Sequence, residues 1–182
     1  MCDARRTEPA YFEALRQHKR LGRLRVHRAA GIDPQRLVAE VPRLREEAEA
    51  DGDPYTEVWC VFDHDQRGGV AGTVAAALKA KLNVAYSDPC FEIWYLQHYR
   101  YSTAVLTTDQ AIAELAKVRG HYEKADNLYD ELLEQQPQAI ANAENLRAYH
   151  EANRDPDRNC PETNPSTTVD QLVLHLNEIA PK

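Results

Sequence analysis

The stretch that most constrains this chain is Glu57-Val58-Trp59-Cys60-Val61-Phe62, an apolar run that breaks off at Asp63-His64-Asp65. A strand with one solvent face alternates apolar and polar residues, whereas a strand covered on both faces reads as a continuous run. The run therefore predicts a central parallel strand. Gly68-Gly69-Val70-Ala71-Gly72 and an Ala-rich helix over 70–81 follow it, then a short strand over 83–87 and an aromatic-rich helix over 91–99.

Upstream, Thr7 as N-cap and Pro9 in the first turn predict a helix over 7–21 that Gly22 stops. The weak alternation of residues 24–29 predicts an edge strand, and residues 34–50 a second helix with Pro42 inside it. This order of elements is that of an α/β domain with a small, mostly parallel sheet flanked by helices. After Tyr101 the character changes. Helices are expected over 108–119, 121–134 and 138–153, then a polar loop over 154–163. Thr167-Thr168-Val169-Asp170 has the form of a capping box and opens a last amphipathic helix to residue 179. The spacing does not sustain a tetratricopeptide pattern. The expected division is an α/β domain over 1–101 and a helical C-terminal region over 102–182 packed on it.

The 182 residues include 22 basic and 29 acidic ones, a net charge of -7, which disfavours tight nucleic-acid binding by the surface as a whole. Cys2, Cys60, Cys90 and Cys160 form no C-x-x-C pair, against a zinc ribbon or a disulfide scaffold. No apolar run approaches the roughly 18 residues of a membrane span, so a cytoplasmic location is expected. The chain opens on polar sequence, with no first strand expected ahead of Asp3.

Asp63 and Asp65 stand two apart at the carboxyl end of the central strand, where ligands bind in open α/β sheets. Such residues point to one side, roughly 6.6 Å apart by the strand rise, and can reach a common cation. Oxygen ligation suits Mg²⁺ or Mn²⁺; the alternative is one capping Asp and one solvated Asp. His64 reads as a surface residue. The glycines at 68–72 lack the Lys-Ser/Thr of a phosphate loop and read as a turn. At the second strand-to-helix junction, Asp88 and Glu92 are either a cap and a dipole-favoured acid or metal ligands. Cys90 beside His98 raises the alternative of a thiol nucleophile, with no third orienting group in view.

Four segments together resemble one family. They are Cys2-Asp3-Ala4-Arg5-Arg6-Thr7-Glu8-Pro9-Ala10-Tyr11-Phe12, Val61-Phe62-Asp63-His64-Asp65, Ser87-Asp88-Pro89-Cys90-Phe91-Glu92-Ile93-Trp94 and Asn164-Pro165-Ser166-Thr167-Thr168-Val169. In this order they are similar to the RloB-like proteins, Toprim-related members of anti-phage abortive-infection systems. The family opens on a hydrophobic strand followed by C-E-G-x-x-T-E-x-x-Y-F. Here Asp3 stands in the place of its metal-binding Glu and Ala4 in that of its Gly.

The resemblance implies a Toprim-like fold and divalent-metal cleavage of phosphodiester bonds in DNA or RNA. Asp3, Glu8, Asp63 and Asp65 would be the catalytic set, and Asp3, Asp63, Asp65 and Glu92 the ligands of Mg²⁺ or Mn²⁺. It further implies control by an ATPase of the RloA or overcoming-lysogenisation type, with no membrane partner and with homo-oligomerisation left open. The alternative is a catalytically degenerate module that docks on such an ATPase.

Overall fold

The computed structural model describes residues 1–2, 7–29, 34–64, 70–124, 126–154 and 163–181. Among them the elements run α1 (Thr7–His18), α2 (Pro34–Ala50), β1 (Trp59–Asp63), α3 (Val70–Lys79), β2 (Asn83–Asp88), α4 (Glu92–Tyr99) and α5 (Thr108–Arg119). Then come α6 (Tyr129–Leu132), a 3₁₀ turn (Leu133–Gln135), α7 (Gln136–Ala152), β3 (Ser166–Thr167) and α8 (Val169–Glu178). The fold is α/β, a small mixed sheet flanked by helices and followed by a helical C-terminal region.

The sheet has the order β1-β2-β3, with β1 and β2 parallel and β2 and β3 antiparallel. In the register Trp59 lies beside Asn83 and Asp63 beside Ser87, so both strands end at one edge. The unbroken apolar run of β1 has a direct cause. Cys60 and Phe62 enter one core with Leu37, Val38 and Val41 of α2 and Ala77 of α3. Val61 enters the other, with Tyr11 and Leu15 of α1, Trp94 of α4 and Leu172 of α8, and Trp59 packs against it. Successive side chains of a strand point to opposite faces, so a strand between two cores must be apolar throughout.

Helix α5 keeps the bounds its sequence predicts because both ends are marked. Thr107 and Gln110 form a reciprocal capping box, and Gly120 ends the helix at φ 92°, a left-handed conformation that suits glycine. Helix α2 spans 34–50 with Pro42 inside it. The expected strand at 24–29 reduces to a single bridge, Arg28 beside Cys2. Among its described residues the expected helix over 121–134 is mostly irregular, with α6 the only α-helical part. There the Asp126 side chain accepts the Glu123 N–H at 3.1 Å and ion-pairs with Arg119 at 3.4 Å, holding the chain in a turn.

Before α8, the Thr168 hydroxyl does not cap the helix. It accepts the Tyr86 N–H at 2.9 Å instead, while Thr168 N–H donates to Tyr86 O at 2.8 Å. Strand β3, for which the sequence carries no periodic signal, is thereby fastened to β2. Among the described residues no helix is long and apolar enough to cross a membrane.

Candidate active site

The carboxyl edge of the sheet gathers polar groups from distant parts of the chain. Asp63 is the last residue of β1, and the His64 N–H that follows donates to Ser87 O at 2.7 Å, tying the two strand ends together. His64 Nδ1 lies 2.9 Å from Asp88 Oδ2, and the Thr163 hydroxyl donates to the same carboxylate oxygen at 2.9 Å. Asp88 is 5% exposed, so it is a buried acid whose oxygen has two defined neighbours. Ser87 Oγ and Thr167 Oγ1 are 2.9 Å apart, both buried, at the paired ends of β2 and β3.

The β2-to-α4 junction supplies the second acid. Glu92 sits in the first turn of α4, is 1% exposed, and accepts a 3.0 Å hydrogen bond from the Tyr122 hydroxyl. Cys90, equally buried, lies within the influence of two acids. Burial first, then the Glu92 and Asp63 carboxylates, push its thiol far above the usual thiol range. Asp63 and Glu92 thus both act electrostatically on Cys90.

Glu8 is buried in the first turn of α1. One turn later, Tyr11 and Phe12 rest on Phe91, the residue before Glu92, with ring centroids 5.6 and 6.2 Å apart. Helix α1 is thus seated on the start of α4. Asp3 and Asp65 lie outside the described residues, as do Gly68 and Gly69. Among the described residues no group of three or more His, Cys, Asp or Glu side chains forms a metal cluster.

The thiol-nucleophile alternative does not survive this geometry. A nucleophilic cysteine needs an accessible thiolate. Cys90 is closed off and held protonated, while His98 turns its Nδ1 to the Trp94 carbonyl at 2.9 Å within its own helix. His64, which the sequence assigns to the surface, is instead partly covered and hydrogen-bonded at the site. Thr163 and Tyr122 carry no local signal at all. They reach the site from 75 and 30 residues away in sequence, and only the fold brings them there.

The acids described along this edge are Asp63, Asp88 and Glu92, and the Cys90 thiol beside them is kept neutral. Hard oxygen donors fit Mg²⁺ or Mn²⁺ and do not fit a soft-metal site, for which thiolate would be needed. A family model described as RloB-like protein matches residues 1–176 of the chain. No curated protein and no solved structure matches it.

Proposed function

The chain belongs to the RloB-like family, and on that premise we propose that it is a divalent-metal-dependent nuclease, a hydrolase of phosphodiester bonds in DNA or RNA. Its setting is anti-phage abortive infection, under the control of a partner ATPase of the RloA or overcoming-lysogenisation type. The observation that supports the reading is the position of Asp63 at the carboxyl end of β1, beside Ser87 and close to the buried Asp88, at the sheet edge where α/β folds bind ligands.

Asp63 and Glu92 would hold Mg²⁺ or Mn²⁺, with Asp3 and Asp65 completing the set. A bound divalent ion at such a site supplies a Lewis acid for a phosphoryl oxygen and lowers the pKa of a water. The chain's own residues position this chemistry. The Tyr122 hydroxyl fixes the rotamer of Glu92, and the His64 N–H holds the end of β1 against Ser87. Asp88 and Ser87 together fix the His64 side and main chain at the rim of the site. Glu8 adds a further acid in the helix seated on α4.

The net charge of -7 fits this arrangement, because a metal at the acids offsets part of the repulsion that a polyanionic substrate meets. The test is cleavage of single- and double-stranded DNA and RNA with Mg²⁺, with Mn²⁺ and with chelator, for the chain alone and with its ATPase. Metal-dependent cleavage that falls at least about 100-fold in Asp63→Ala supports the reading. Cleavage at an unchanged rate in Asp63→Ala sinks it.

A further inference from the structure

The His64 imidazole, next to Asp63 at the end of β1, is held through one of its two nitrogens. Its Nδ1 lies 2.9 Å from Oδ2 of Asp88, whose side chain is 7% exposed against 31% for that of His64. The same oxygen accepts the Thr163 hydroxyl at 2.9 Å. Thr163 is itself held in place by its neighbour. The Asn164 side chain accepts the Leu106 N–H at 2.9 Å and donates to the Leu106 carbonyl at 2.7 Å. The main chain of His64 is fixed as well, through its 2.7 Å hydrogen bond to Ser87 O.

An ionised carboxylate only accepts, so the hydrogen shared with Asp88 sits on Nδ1 and Nε2 keeps its lone pair. Nε2 makes no hydrogen bond to any described residue, and the ring is open to solvent on that side. An imidazole with one nitrogen tied to a carboxylate and a free lone pair on the other is what a metal-ligating histidine presents. The carboxylate fixes tautomer and ring orientation and raises the basicity of the free nitrogen. A solvated histidine needs no such support, and withdrawing the Asp88 carboxylate from water carries a desolvation cost.

We propose that His64 Nε2 is a ligand of the divalent ion alongside Asp63, and that this nitrogen makes the site prefer Mn²⁺ to Mg²⁺. The proposal rests on the metal-dependent reading of the same edge. Asp63 and His64 are consecutive, so their side chains leave opposite faces of the strand, Asp63 on that of Val61 and His64 on that of Phe62. An ion seated beyond the strand end, where open α/β sheets hold ligands, is reached from both faces. The other described side chains of this edge offer oxygen: Asp63, Asp88 and Glu92 as carboxylates, Ser87 and Thr163 as hydroxyls. Oxygen donors alone serve Mg²⁺, which keeps several of its waters. Imidazole belongs to the ligand sets of transition metals, so one nitrogen shifts the preference toward Mn²⁺.

The test is pulsed electron paramagnetic resonance of Mn²⁺ bound to the full chain, with calorimetric titrations of Mn²⁺ and Mg²⁺ alongside. The expected result is a nitrogen coupling on bound Mn²⁺ that is lost in His64→Asn and kept in His121→Gln, at an exposed histidine. Asn keeps a donor for Asp88 and removes Nε2, and His64→Ala takes its place should the Asn variant fail to fold. In either variant Mn²⁺ affinity falls at least about tenfold and Mg²⁺ affinity less than about threefold. Bound Mn²⁺ without nitrogen coupling overturns the proposal; if that binding is lost in Asp63→Ala, the metal reading of the edge still stands. A coupling that persists without His64 also overturns it, and so does an equal loss of affinity for the two ions. Absence of any Mn²⁺ binding overturns both the proposal and the reading on which it rests.

Discussion

The Tyr122 hydroxyl donates to Oε1 of Glu92 at 3.0 Å, and both side chains are buried. The bond spans 30 residues and joins an irregular segment to the first turn of α4. It explains why the chain around Tyr122 does not follow its helical spacing: the ring is committed to the core and its hydroxyl to an acid.

Removing this donor separates structure from chemistry at Glu92. Tyr122→Phe leaves a buried carboxylate oxygen one donor short and is expected to cost about 1–3 kcal/mol in urea unfolding. Glu92→Gln keeps an acceptor for the hydroxyl and so should unfold close to the parent midpoint. If Glu92 is a metal ligand, the same Gln variant weakens Mn²⁺ binding by calorimetry while stability holds.

His98 sets an acid limit on stability. Burial holds its pKa down to about 4 from the usual 6.5, against the raising effect of the carbonyls of Trp94 and Tyr95. In the unfolded chain the imidazole takes up its proton near 6.5, and in the folded chain only near 4. The stabilisation from keeping it neutral is therefore full above pH 6.5 and is lost as the pH falls toward 4. Over that window the parent should lose about 3 kcal/mol relative to His98→Gln. Parallel urea titrations at several pH values check this, and curves with equal slopes would contradict it.

The cysteines should be silent toward thiol reagents. Cys2, Cys60 and Cys90 are free and buried, and burial raises the pKa of both Cys60 and Cys90. In a Cys160→Ser protein, Ellman's reagent is expected to find no reactive thiol in the native state and three after denaturation. Cys90→Ser should retain any nuclease activity within about threefold, since no step depends on a thiolate.

Arg147 and Asp170 join α7 to α8 through two hydrogen bonds of 2.7 Å, and Arg147 also donates to Thr167 O at 2.7 Å. Burial raises the Asp170 pKa, and the guanidinium acts against that rise. Asp170→Ala strands a partly buried cation and should cost about 3–5 kcal/mol. The double variant Arg147→Met/Asp170→Leu removes both charges and should recover much of that loss, measured by the same unfolding assay.

What the sequence made legible follows from the range of the interactions involved. The buried strand, α2 and α5 were readable because apolar continuity, periodicity and capping residues are local. The acidic edge was half readable. Asp63 and Glu92 stand at strand and helix ends that motifs can mark, but the hydrogen bond that holds His64 depends on Asp88 reaching it across two strand ends. Strand β3 has only two residues, too few for any period to show. The segment 121–134 misleads for the opposite reason: its apolar spacing is helical, while the contacts of Tyr122 and Asp126 override that spacing.

The pairing of β3 with β2 has a consequence for synthesis. The third strand and the Thr163 and Thr167 hydroxyls enter the chain about 80 residues after the β2 residues they bind. Until the ribosome has released residue 167, the acidic edge lacks its far wall and Ser87 and Asp88 stand open. A nascent or prematurely terminated chain therefore cannot assemble this edge before residues 163–167 have been delivered.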